Sequence, residues 1–170
     1  GIPVTNQSVS EWHRESGINN TSSGLWAFRL GPVGLLGSYA DNEDSRLVSQ
    51  PIRLTGTGDT LSFYQRYDTI TGRDGVSVEI TTDAGATWTV VNPVPNYPFP
   101  NDRFSGRQTS FQQVKVPLTG LSGVIQVAFR FRSLTAATGL GWWIDDVSVN
   151  GEATCATTAE RIRIAERAAW

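Results

Sequence analysis

The sequence predicts an all-β fold, a sandwich or barrel of about eight strands, on three observations. Gly, Pro, Asn and Asp recur at short intervals between runs rich in Val, Ile, Thr and aromatic residues. Several of those runs alternate apolar with polar side chains, which is the period of a half-buried strand. The length, 170 residues with 39% apolar side chains, suits one ordinary domain.

Taken in order, residues 25–30 and 47–54 are the first candidate strands. Over residues 60–68, Leu61, Phe63 and Tyr67 alternate with Ser62, Tyr64, Arg66 and Asp68. Val76, Val78 and Ile80 alternate with Ser77, Glu79 and Thr81, and Asp83-Ala84-Gly85 supplies a tight turn into residues 86–91, so this pair reads as a hairpin. Residues 111–118 come next, with Pro51 and Pro117 marking edges, bulges or strand ends. Residues 124–132 place Ile125, Val127, Phe129 and Phe131 inward and Gln126, Arg130 and Arg132 outward. Residues 141–149 close the set.

Two connections are long. Residues 31–44 are Gly-rich and end in Asp41-Asn42-Glu43-Asp44; residues 92–108 carry Pro93, Pro95, Pro98 and Pro100 among Tyr97, Phe99 and Phe104. Loops of this length in a compact domain are functional or disordered, and proline lowers the entropy cost of ordering them. Residues 4–151 read as the sandwich and residues 152–170 as a tail. In the tail, Thr157-Thr158-Ala159-Glu160 offers a capping box and helix formers dominate residues 159–170, whereas Arg161-Ile162-Arg163-Ile164 alternates like a strand. The tail is expected to be a short helix or linker outside the sandwich.

Composition narrows the function. A net charge of −2 and a sequence pI near 5.4 lack the basic face a nucleic-acid partner requires. One cysteine, Cys155, cannot form an internal disulfide, and one histidine, His13, removes most zinc sites. No apolar run is long enough to span a membrane, and the start at Gly1, without Met or a leader, reads as a processed or excised chain. A Ser-His-Asp triad would need His13, yet no Gly-x-Ser-x-Gly elbow occurs; His-Glu-x-x-His and Walker-type loops are absent too. The enzymatic alternative is a glycosidase using carboxylates alone, such as Glu79 with Asp68.

Residues 141–149 are the most informative segment. Strand parity puts Trp143, Asp145, Val147 and Val149 on one face and Trp142, Ile144, Asp146 and Ser148 on the other. If the valines face the core, so does Asp145, and a buried carboxylate must be hydrogen-bonded, paired with arginine or bound to a cation. Trp142 is then the surface aromatic, while Trp12, Trp26, Trp88 and Trp143 read as core or rim. The acidic run 41–44 suits a hard cation such as Ca²⁺, though its spacing is not that of an EF-hand, and from spacing alone a solvated acidic turn is the better reading. Arg29, Arg46, Arg53 and Arg132 are alternative partners for these carboxylates.

An ordered set of pieces carries a resemblance: Leu25-Trp26; Tyr39, Asn42, Asp44-Ser45, Leu47-Val48-Ser49, Pro51-Ile52 and Leu54; Leu61-Ser62-Phe63; Asp74-Gly75; Val78-Glu79-Ile80; Asp83-Ala84-Gly85 with Thr87-Trp88; and Trp143-Ile144-Asp145-Asp146-Val147-Ser148-Val149. Together they resemble the MAM-like jelly-roll module appended to secreted bacterial proteins, including metalloproteases of the immune-inhibitor-A type. They are also similar to calcium-holding carbohydrate-binding jelly rolls. The resemblance implies a jelly-roll β-sandwich, secreted and non-catalytic, stabilised by a structural Ca²⁺. Carried over by position, its ligands are Asn42, Asp44, Asp74 and one of Asp145 or Asp146, parity favouring Asp145 unless a bulge swaps the two.

Glycan binding is the next expectation, because aromatic faces stack on sugar rings while Asn, Asp and Arg read hydroxyls. The proline-rich loop offers Tyr97, Phe99, Asn101, Asp102 and Arg103. Parity offers a second surface in Tyr64, Arg66, Glu79, Arg130 and Arg132, with core packing and cross-strand pairing as the structural alternatives. The expected function is a non-catalytic recognition, adhesion or spacer module beside a neighbouring domain of a parent protein, with a glycan or cell-surface partner. The alternative is a self-assembling surface protein docking through residues 155–170.

Overall fold

The computed structural model describes residues 12–20, 24–34, 37–100, 103–150, 160–161 and 164–165. Its strands are β1 (Trp12–Ser16), β2 (Trp26–Leu30), β3 (Asp44–Ser49), β4 (Ile52–Arg53), β5 (Thr60–Asp68) and β6 (Gly75–Thr81). They continue with β7 (Thr89–Val90), β8 (Arg107–Pro117), β9 (Val124–Arg132), β10 (Gly141–Asn150), β11 (Glu160–Arg161) and β12 (Ile164–Ala165). One sheet has the order β1-β2-β10-β5-β8, with β11 on β10; the other runs β12-β3-β9-β6-β7, with β4 on β9. Every strand pair is antiparallel. From β2 to β10 the chain passes repeatedly between the sheets, and the orders β2-β10-β5-β8 and β3-β9-β6-β7 are those of two interlocked Greek keys, a jelly roll.

The sandwich closes on the alternating apolar faces. Leu30, Leu61, Phe63, Trp142, Ile144 and Val116 of the first sheet meet Leu47, Val76, Val78, Val127, Phe129 and Phe131 of the second. Phe129 sits edge-on to both Phe63 and Trp142, with centroids 5.0 and 5.7 Å apart, the geometry aromatic quadrupoles favour.

Trp12–Ser16 is a strand that sequence patterning misses, since Trp12 is its one large apolar residue. The described residues of the tail are extended, not helical: β11 pairs with Ser148 and Val149 where β2 no longer flanks β10, and β12 pairs with Ser49 and Val48 of β3. Backbone donors left open along two strands are satisfied there, and the alternating 161–164 pattern prevails over helix propensity. Cys155 and Trp170 lie outside the described residues.

Strand parity fails in β10. The register against β5 shifts between Asp145 and Ser148, and Asp146 adopts a left-handed φ of 48°. This bulge lets Trp142 and Ile144 face the core on one side and Val147 and Val149 face it on the other. Trp142 is therefore wholly buried, its indole N–H donating to Gln65 Oε1 at 3.0 Å, rather than being the surface aromatic. Trp143 takes the outer face, where it too is sealed: the guanidinium groups of Arg29 and Arg66 cover its ring at 4.8 and 5.0 Å. Arg29 is held over it by the carbonyls of Gly34, Gly37 and Leu140 and by Glu15. Trp26, expected in the core or rim, is 50% exposed with Arg14 against it.

Candidate functional site

The loop between β7 and β8 is preformed by three anchors. Val94 pairs with Lys115 of β8, its N–H donating at 2.8 Å. The Tyr97 hydroxyl donates to Val91 O at 2.9 Å and accepts from Val78 N at 3.0 Å. Phe104 and Val76 exchange both backbone hydrogen bonds, at 2.9 and 3.0 Å. The last anchor needs Gly75, because a Cβ there would lie 2.5 Å from Phe104 O and 2.9 Å from Arg103 Cδ.

Beneath the loop, against β5 and β8, is a pocket of about 270 Å³. Tyr67 and Phe104, both nearly buried, contribute its aromatic surface; Pro95 and Pro98 line the loop side; Asn96 and Gln112 supply exposed amides. The Gln108 amide donates to Gln65 O at 2.9 Å, which fixes that wall. Gln112, on the same side of β8 as the core residue Val114, makes no side-chain hydrogen bond among the described residues, so its donor and acceptor are available to a ligand; Gln113, opposite Tyr64, stands on the outer face. A concave wall of rings and prolines with a few convergent amides is the chemistry of a site for an uncharged polyhydroxylated ligand.

The structure redistributes the loop residues expected to bind. Tyr97 is buried, edge-on to Phe104 at 4.9 Å, and serves as an anchor rather than a platform. Phe99 is partly buried and bridges Arg103 within the loop. Arg103 donates to Arg73 O at 2.7 Å and lines a second pocket. Asn101 and Asp102 lie outside the described residues. Sequence reasoning does not single out the glutamines; the polar run Gln108 to Gln113 beside a proline-rich loop is the signal that could have found them.

The five residues expected around a cation are not brought together. Asp44, on β3, receives Arg130 Nε and Nη2 at 2.7 Å each, a bidentate pair that draws its pKa below the usual carboxylate range. Asp74 is buried, taking the Tyr39 hydroxyl at 2.6 Å and Leu134 N at 2.9 Å; burial and the Asp74 carboxylate push the Tyr39 phenol well above its ordinary range. Asn42 occupies a left-handed turn with φ of 56°. Asp145 and Asp146 lie instead at the β10 bulge, where Asn20 donates to them from its backbone and side-chain nitrogens at 2.7 and 2.9 Å. Burial raises the Asp145 pKa, against the lowering effect of the backbone N–H groups of Asn20 and Asp146 that donate to it. Among the described residues no three His, Cys, Asp or Glu side chains gather as a metal site. A calcium ion takes six to eight oxygens, and the described donors do not fit that shell.

The second surface read from parity also divides. Tyr64 and Arg66 stand on β5 of one sheet; Glu79, Arg130 and Arg132 stand on β6 and β9 of the other. Glu79 is buried between Arg130 and Arg46, at 3.1 and 2.6 Å, and Arg46 packs over Trp88. Asp68 pairs with Arg107 in the opposite sheet. Glu79 and Asp68 thus point away from stacked sheets about 10 Å apart, too far to flank one glycosidic bond, which takes carboxyls about 5–9.5 Å apart.

No protein-family model matches the sequence, and no curated protein matches it. Solved structures similar to it include two carbohydrate-binding modules. One is TmCBM61 in complex with β-1,4-galactotriose: 14% identity, TM-score 0.45, covering 78% of this chain and 75% of that one. The other is a family 30 carbohydrate-binding module of a cellulosomal cellulase of Clostridium thermocellum: 19% identity, TM-score 0.44, covering 88% of this chain and 96% of that one. The jelly-roll assignment itself rests on the strand order. No helix among the described residues is long and apolar enough to cross a membrane.

Proposed function

We propose that this domain is a non-catalytic glycan-recognition module and that the pocket beneath the proline-braced loop holds the sugar. The observation that carries the reading is the unbonded Gln112 amide of β8 beside the Tyr67–Phe104 surface, beneath a loop already pinned at both ends. Prior ordering matters because each loop residue fixed only on binding would subtract from affinity. The test is titration with a panel of neutral β-1,4-linked trisaccharides of glucose, galactose, xylose and mannose. Saturable binding that perturbs loop and β8 resonances is expected; silence across the panel contradicts the reading. Self-assembly through the tail is the less favoured alternative, since β12 pairs with β3 of its own chain.

A further inference from the structure

We propose that a second pocket, on the other flank of the same loop, is a subsite for an oxyanion carried by an acidic sugar, a carboxylate or a sulfate ester. It has a volume of about 380 Å³. Three arginines from three separate segments line it: Arg73 from the turn before β6, Arg103 from the loop and Arg132 from the end of β9. Their hydrogen bonds leave charge unanswered. Arg103 and Arg73 donate to backbone carbonyls, those of Arg73 and Thr135. Arg103 Nε is buried and has no partner. Among the described residues, the Arg132 guanidinium makes no hydrogen bond or ion pair; burial and the neighbouring Arg130 and Arg103 charges lower its pKa.

The Asp44 and Glu79 charges act on Arg132, but no ion pair joins a carboxylate of the pocket wall to Arg73, Arg103 or Arg132 among the described residues. Asp44 has both oxygens engaged by Arg130. Glu43 is 2% exposed, with its backbone tied to Ser133. Converging guanidinium groups repel one another in a partly desolvated site, and a planar oxyanion is the ligand whose geometry their forked donors match. Arg103 and Phe104 are adjacent in sequence and line different pockets. One loop therefore offers amides and rings on one flank and cationic donors on the other. The inference rests on the glycan-recognition reading and names its substrate class: an acidic rather than a neutral polysaccharide.

The test compares galactotriose with trigalacturonate, and cellotriose with 6-sulfated cellotriose, by titration at low and physiological salt. The acidic member of at least one pair should bind roughly tenfold tighter than its neutral counterpart, the scale of a charge-assisted hydrogen bond. Whichever pair shows the preference identifies carboxylate or sulfate as the source of the oxyanion. Arg132→Gln should bring that preference to within about twofold while neutral binding stays as it was, because Arg132 braces nothing else among the described residues; Arg103→Gln is the independent second variant. Neutral binding with no acidic preference overturns the subsite and leaves the amide pocket standing. An acidic preference that survives both substitutions also overturns it. Failure of every sugar to bind removes both readings.

Discussion

Replacing Gly75 by alanine perturbs the loop at the anchor between Val76 and Phe104. Built onto the existing backbone, the new Cβ would lie 2.5 Å from Phe104 O, a backbone atom that cannot swing aside, and 2.9 Å from Arg103 Cδ. The 103–104 segment must therefore move outward, and the two hydrogen bonds it exchanges with Val76, at 2.9 and 3.0 Å, lengthen or break. At about 1 kcal/mol for each hydrogen bond, plus partial exposure of Phe104, the loss comes to about 2–3 kcal/mol. For a domain of this size that is a fall of about 4–12 °C in Tm. Differential scanning calorimetry measures it, and titration should show sugar binding weakened in parallel, because Phe104 lines one pocket and Arg103 the other. A Tm within about 1 °C of the parent would refute the claim that close approach at Gly75 docks the loop.

Three further outcomes are expected from the same geometry. Tyr39→Phe removes a hydroxyl that donates to buried Asp74 and accepts from Ile70 N, so chemical denaturation should show a loss of about 3 kcal/mol; a loss below about 1 kcal/mol would contradict that pairing. Asp44 has its pKa lowered by Arg130, so its contribution is present above the unfolded carboxylate pKa and fades as pH falls through the folded one. Because the Asp44 side chain is 51% exposed, Asp44→Asn should cost at most about 1 kcal/mol at pH 7 and nothing near pH 2; an equal cost at both would refute the ion-pair account. Since Asp44 and Asp74 are already bonded by protein donors, melts in chelator and in excess calcium should agree within about 1 °C. A calcium-selective rise of several degrees would show that an ion does bind.

Most of the sandwich was legible in sequence, because period-2 alternation over β5, β6 and β9 reflects which side chains two stacked sheets can bury. The failures have local causes. Asp146 inserts a bulge that reverses parity within β10, so the same pattern that correctly placed Val147 and Val149 misplaced Trp142 and Trp143. Trp143 faces outward yet is sealed by Arg29, which the carbonyls of Gly34 and Gly37 hold in place; no periodicity encodes that covering. The proline-rich loop was found from its composition, but which of its aromatics would be anchors was not. Tyr97 looks like a ligand platform in sequence and becomes a core residue because its hydroxyl satisfies Val78 N and Val91 O. The partner of Asp44, Arg130, lies 86 residues away on a strand whose pairing with β3 only the fold reveals.

The central claim is that the amide and aromatic pocket beneath the loop binds sugar. Its most direct measurement is a titration of the neutral trisaccharide panel against the parent domain and the Gln112→Ala variant. The Gln112 side chain is exposed and makes no hydrogen bond among the described residues, so the two proteins should melt at the same temperature. The account predicts saturable binding to the parent and a loss of roughly tenfold or more in Gln112→Ala, from the donor and acceptor hydrogen bonds of the one amide at about 1 kcal/mol each. Equal affinity in the two proteins, or no binding to either, would contradict it.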